Sequence, residues 1–294
     1  MDLSSLRAEL GDLESDVGLD VEANLDGRAR AHDVVAFVDA VARARRGDEE
    51  LIALKRRADA LDDRLLAIDE RVFRTVREYI RSRAHTAAEL RRELDKFTAY
   101  SRDGQSRAHL GYDGLDVLLD GIMRRDAPPE AALTPYPEMV HYEPTPARVI
   151  LDLVDHADLT GDDVFYDVGC GLGRVVMLVH LVTGIAARGV EYQPTFCSYA
   201  RQCAQDLGLS GVDFVNADAR AVDYSDGTVF YLFTPFKGRM LQAVLDQLRQ
   251  KAGKRPITIC TYGSCTRHVF SQPWVRGRDP STNDDFKLAI FDSV

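Results

Sequence analysis

The chain has 294 residues, which at roughly 100–200 residues per domain predicts about two domains. Apolar residues make up 45% and charged residues 29%, a globular balance that excludes wholesale disorder. Lys and Arg number 37 against 47 Asp and Glu, a net charge of −10 that disfavours general binding to nucleic acid or a membrane surface.

No apolar run reaches the ~18 residues of a membrane-spanning helix. The longest, Val175 to Ala187, is broken by His180, Thr183 and Gly184 and reads as a buried helix. Residues 1–10 are acidic and lack a hydrophobic signal core. The five cysteines, Cys170, Cys197, Cys203, Cys260 and Cys265, are odd in number and show no Cys-x-x-Cys spacing. Neither a metal site nor a disulfide framework is expected, and a reducing cytoplasm fits.

Residues 1–127 read as an all-α domain. Leu3, Leu6, Leu10 and Leu13 predict a first helix, and Val34 to Val41 a second. From Glu49 to Arg83, Leu54, Ala58, Leu61, Leu65, Ile68, Val72, Val76 and Tyr79 recur every three or four residues, one stripe of a long helix. Asp48 is its expected N-cap. A further helix starts at Thr86, whose hydroxyl forms a capping-box pattern with Glu89, and stops near Gly104. The long stripe fits either a small bundle or an arm that forms a homodimer. The arginines from Arg71 to Arg92 are interleaved with Glu78 and Glu89, a solvated helix face or a docking surface for an acidic partner.

Six of the eleven prolines, from Pro128 to Pro146, exclude a helix or central strand there. Residues 128–146 therefore form an ordered connector, and residues 147–294 a second domain. In that domain Val164–Val168, Ala186–Glu191, Val212–Asn216, Thr228–Phe233 and Pro256–Tyr262 alternate with helical segments. This predicts an α/β fold with a doubly wound, mostly parallel sheet. Trp274–Arg276 and Phe286–Asp292 bring the strands to seven and end the sheet as an antiparallel pair.

The strongest motif follows the first of these strands: Asp167-Val-Gly-Cys-Gly-Leu-Gly173. Gly169, Gly171 and Gly173 permit a tight turn and close approach of a ligand, and the next helix offers free amides to an anionic group. Asp167 stands at the carboxyl end of its strand, where a carboxylate suits a cationic amine. Glu191 ends the second strand and can accept hydrogen bonds from ribose hydroxyls. Asp218, after the third, can accept from an adenine amino group while the backbone near Ala219 meets the ring edge.

On Asp167 to Gly173, Glu191 and Asn216-Ala-Asp218, residues 140–262 resemble the class I S-adenosylmethionine-dependent methyltransferases. The resemblance implies S-adenosyl-L-methionine as cofactor. Asp167 and the glycine loop would hold its methionine end, Glu191 with Tyr192 the ribose, and Asp218 and Ala219 the adenine. Tyr142-Glu-Pro-Thr-Pro146 is similar to the non-SET lysine methyltransferases, which implies that Tyr142, Glu143 and Thr145 touch the methionine moiety or the acceptor lysine. Thr234, in Tyr231-Leu-Phe-Thr-Pro-Phe236, should flank the transferred methyl, so Tyr142, Glu143 and Thr234 are the catalytic candidates. His141, Phe236, Tyr262 and His268 are further candidates for the acceptor mouth. The acceptor is a protein lysine or a small molecule of secondary metabolism or lipid type. A non-catalytic scaffold that binds the cofactor is the reading from another class. The helical domain would help form the acceptor pocket or a dimer.

Overall fold

The computed structural model describes residues 2–45, 47–98, 111–123, 129–279 and 284–294. Gly104, Pro128 and the expected boundary at 127 lie outside them. The chain forms two compact units.

The first unit contains α1 (Leu3–Ser15), α2 (Leu25–Ala44), α3 (Glu49–Ser82) and the greater part of α5 (Gly114–Met123). Local chemistry sets the helix starts. The Asp2 carboxylate accepts from Ser5 N–H at 2.8 Å, Asn24 Oδ1 from Gly27 N–H at 3.0 Å, and Asp48 Oδ1 from Glu50 N–H at 3.0 Å. The Asn24 cap lets α2 begin at Leu25, well before the apolar run at Val34 that marks it in the sequence. The stripe of α3 buries Leu54, Ala58, Leu61 and Leu65 against Leu6 and Leu10 of α1 and Ala31, Val35 and Val38 of α2. Farther along, Phe73 and Ile80 are more buried than Val76 and Tyr79. A 3.6-residue helix drifts by ~20° per heptad, so its buried face moves to the next column. Thr86 and Glu89, both grouped with the second unit, complete the capping box of α4 (Ala87–Leu94): Glu89 Oε2 accepts from Thr86 N–H at 2.8 Å, and Thr86 Oγ1 accepts from Glu89 N–H at 3.2 Å. Helix α5, with Leu115, Leu118, Leu119 and Ile122 on one buried face, is an element the sequence reading missed.

One charged cluster is sealed inside the helical unit. The Arg28 guanidinium is fully buried and donates to Asp69 Oδ1 at 2.5 Å and to the carbonyls of Leu19, Val21 and Glu22. His32 bridges Asp62 at 2.6 Å and Asp69 at 3.2 Å.

The second unit carries the sheet. Its elements are α6 (Ala147–His156), β1 (Val164–Val168), α7 (Arg174–Thr183), β2 (Ala186–Glu191), α8 (Pro194–Asp206), β3 (Val212–Asn216), β4 (Val229–Phe233), α9 (Gly238–Ala252), β5 (Thr258–Tyr262), α10 (Thr266–Phe270), β6 (Val275–Gly277) and β7 (Ala289–Ser293). The strand order is β3-β2-β1-β4-β5-β7-β6, with β7 antiparallel to both neighbours. Strand β7 thus inserts between β5 and β6. Tyr166, Tyr224 and Phe230 form an aromatic knot in the core, with centroids 5.3–5.7 Å apart. The chain leaves β1 toward β2 on one side and returns to β4 on the other. Such a switch point opens a crevice beyond the carboxyl ends of the strands. No described helix is long and apolar enough to cross a membrane.

Two outcomes follow. Asp69→Ala strands a buried guanidinium and is expected to cost about 3–5 kcal/mol, read by urea denaturation. The carboxylates of Asp69 and Asp62 raise the His32 pKa above 6.5. Its folded-state value exceeds the unfolded one, so the stabilisation is full below pH 6.5 and is lost as pH rises through the raised value. The stability difference between wild type and His32→Gln should therefore shrink between pH 6 and 9, and a difference constant with pH would contradict this.

Candidate active site

A cleft lies at the switch point, lined by the glycine loop, the ends of β1, β2 and β4, and the proline-rich connector. The loop turns on Gly169, Gly171 and Gly173, all at positive φ (89°, 53° and 83°). A Cβ on Gly171 would collide with the Tyr142 ring, so tyrosine and loop are in direct contact. A Cβ on Gly173 would lie 2.6 Å from the Phe214 ring, which fixes α7 tightly against β3. Gly169 and Cys170 N–H both donate to the Val190 carbonyl, at 2.8 and 3.0 Å, binding the loop to β2.

Two carboxylates face each other beneath this loop. Glu191 Oε2 accepts from Gly171 N–H at 2.8 Å, and Oε1 from Gln193 N–H at 2.7 Å. Burial pushes the Glu191 pKa up, and these amides draw it back down. Asp167 is 3% exposed and takes no hydrogen bond among the described residues. Burial first, then the Glu191 charge, raises its pKa well above the ordinary carboxylate value. Beside it on β4, in register, stands the buried Tyr231, whose hydroxyl pairs with Thr145 Oγ1 at 3.2 Å. Sequence reasoning named Thr145 but missed its partner, because the pairing spans 86 residues.

The connector forms one wall. Gln193 Oε1 accepts from Leu133 N–H at 2.8 Å and its Nε2 donates to Leu133 O at 2.7 Å. Met139 bridges Phe236, and Val140 N–H donates to Pro235 O at 3.2 Å. The Glu138 carboxylate accepts from Arg239 N–H at 2.7 Å and Met240 N–H at 3.2 Å, capping α9 from 101 residues away. Glu138 and Gln193 were not singled out from the sequence. Their local surroundings carry no signal of these distant partners. Along this wall His141, Tyr142 and Glu143 line the cleft and are themselves exposed. The Tyr142 ring meets Phe196 edge-on, with centroids 5.9 Å apart.

Of the expected site residues, Tyr142, Glu143, Thr145, Asp167, Gly169, Gly171, Glu191, Tyr192, Ala219 and Thr234 line this one cleft. Gly173 sits behind it as the cap of α7. Asp218 is turned to Arg220, accepting from its backbone N–H and its guanidinium, which lowers the Asp218 pKa. The Arg220 guanidinium lies 5.1 Å from the centre of the Tyr136 ring, and Tyr136 meets Tyr192 at 5.4 Å. Thr234 adopts φ 39°, a strained value for a β-branched residue. Its hydroxyl donates to Tyr262 O at 3.4 Å and accepts from Cys265 N–H at 3.2 Å. Both bonds go to backbone, so Thr234 fixes the turn after β5 from the cleft wall.

The buried Asp167 carboxylate and the Cβ-free cradle fit a ligand with a cationic amine and a slender chain. A family model described as a methyltransferase domain matches residues 165–252. A protein-lysine N-methyltransferase of Saccharolobus islandicus (strain REY15A) is 30% identical over 121 residues, 40% of this chain and 71% of that protein. An RNA methyltransferase from Salinibacter ruber, solved with S-adenosyl-L-homocysteine, has a TM-score of 0.40 and 23% identity, over 51% of this chain and 92% of that one. A geranyl diphosphate C-methyltransferase from Streptomyces coelicolor A3(2) has a TM-score of 0.34 and 19% identity, over 44% and 48%. With the glycine loop and strand-end acids in place, the chain belongs to the class I S-adenosylmethionine-dependent methyltransferases.

Proposed function

We propose that the acceptor of this methyltransferase is an amine, the side chain of a protein lysine. The supporting observation is the cleft mouth: His141, Tyr142 and Glu143 line the cleft yet are exposed, so a side chain carried on another protein can enter. The lysine-modifying relative points the same way.

The chain's residues divide the work. Asp167 pairs with the cofactor's ammonium, and ionic pairing lowers the cost of its burial. The amides at the start of α7 receive the methionine carboxylate. Glu191 spends one lone pair per oxygen on backbone, which leaves acceptor capacity for ribose hydroxyls. Tyr192 and Ala219 border the adenine end, and Asp218 holds Arg220 against Tyr136 there. Tyr142, seated on Gly171, shields the methionine end from water. When bound, S-adenosylmethionine would supply a methyl group on its sulfonium to an amine lone pair, the sulfur keeping the electrons of the broken bond. Glu143, at the open mouth, takes the proton of an arriving ammonium and passes it to water. All five cysteines are free and buried, which supports a cytoplasmic setting.

Incubation of the protein with methyl-labelled S-adenosylmethionine and cell lysate, followed by acid hydrolysis of the protein fraction, should yield labelled methyl-lysine. Label confined to extractable small molecules would contradict the lysine assignment. Gly171→Ala forces a side chain into the Tyr142 ring at a left-handed backbone position. It should weaken S-adenosylhomocysteine binding by about tenfold or more, read by calorimetry.

A further inference from the structure

We infer that Tyr231 is a positioning residue whose buried phenol makes the Thr145 hydroxyl a hydrogen-bond donor to the carboxylate of the cofactor's methionine end, an inference that rests on the methionine-end reading above. Asp167 and Tyr231 are register partners on β1 and β4, so their side chains leave the same face of the sheet. Tyr231 is 1% exposed, and its hydroxyl lies 3.2 Å from Thr145 Oγ1. Thr145 is itself buried and lines the cleft with Asp167 and Gly171. Its hydroxyl makes no other hydrogen bond among the described residues, Asp167 included. A threonine just ahead of a helix commonly caps it. Here Pro146 holds the N-cap position of α6, and the threonine hydroxyl turns to the sheet instead.

Acidity sets the direction of this bond. A phenol is a more acidic hydroxyl than an aliphatic alcohol, and so the stronger donor. Burial keeps Tyr231 protonated by raising its pKa well above the ordinary value. The phenol hydrogen therefore goes to Thr145 Oγ1, and the threonine hydrogen is left for another acceptor. Accepting from the phenol also polarises the threonine O–H and strengthens it as a donor. Pro144 and Pro146 flank Thr145, and its branched Cβ restricts χ1, so the hydroxyl is held with little freedom. Asp167 then meets the ammonium of an amino-acid end, while Thr145 joins the α7 amides as a donor to its carboxylate.

The test is calorimetric titration with S-adenosylhomocysteine, its decarboxylated analogue and its deaminated analogue. Tyr231→Phe deletes only the phenol hydroxyl. It should weaken S-adenosylhomocysteine and the deaminated analogue by about fivefold, while the decarboxylated analogue binds within about twofold of wild type. Thr145→Val should show the same pattern more strongly, and adding Tyr231→Phe to it should cost nothing further. Thr145→Ser, which keeps the hydroxyl, should retain the wild-type preference for the carboxylate. Equal losses for all three ligands, a loss that follows the amine instead of the carboxylate, or no loss overturns the inference. Urea denaturation checks that each variant is folded, and Thr145→Val carries the comparison if Tyr231→Phe is not. The methionine-end reading fails separately, if wild type binds the deaminated analogue as tightly as S-adenosylhomocysteine.

Discussion

Two carboxylates, Asp167 and Glu191, are buried at the ends of adjacent parallel strands, and the site is organised around the cost of burying them. Glu191 is compensated from within by the amides of Gly171 and Gln193. Asp167 is not compensated, and its raised pKa records the cost. A cationic ligand group paired with Asp167 would offset that cost. The β1–β4 switch places the pair at the floor of a crevice, and the glycine loop lets the backbone close over it without side chains in the way.

The connector makes this crevice a site with walls. Prolines keep it out of regular structure, and three side chains pin it: Gln193 at Leu133 and Thr195 at Glu130 from the sheet domain, and the connector's own Glu138 at the start of α9. Tyr142 and Glu143 are then presented at the exposed side of the cleft, and Thr145 is buried on Tyr231 beside Asp167. On the cleft wall, Thr234 holds a strained φ of 39° and bonds the turn after β5.

What could be read from the sequence followed the range of the interactions. The strands from Val164, Ala186 and Val212 are set by local apolar runs and were found with their exact ends. Gly169, Gly171, Gly173, Asp167 and Glu191 act through backbone geometry and strand position, which spacing encodes. Glu138, Gln193 and Tyr231 act on partners 60–102 residues away, so no local pattern announces them. Asp218, expected from its strand-end position to meet an adenine amino group, also accepts from Arg220 two residues on, a local pairing that its position did not announce.

The central claim is that Asp167 is a carboxylate held ready for a cation. Its free-state pKa is raised by burial and by Glu191, and pairing with a ligand ammonium should lower it again. Binding then releases a proton, and affinity must rise with pH through the raised value. Calorimetric titration of S-adenosylhomocysteine in two buffers of different ionisation enthalpy, across pH 5.5 to 8.5, measures that proton directly. The account predicts proton release at the acidic end that fades with rising pH and disappears in Asp167→Asn along with most of the affinity. Tight binding by Asp167→Asn, with the same proton release as wild type, would contradict it.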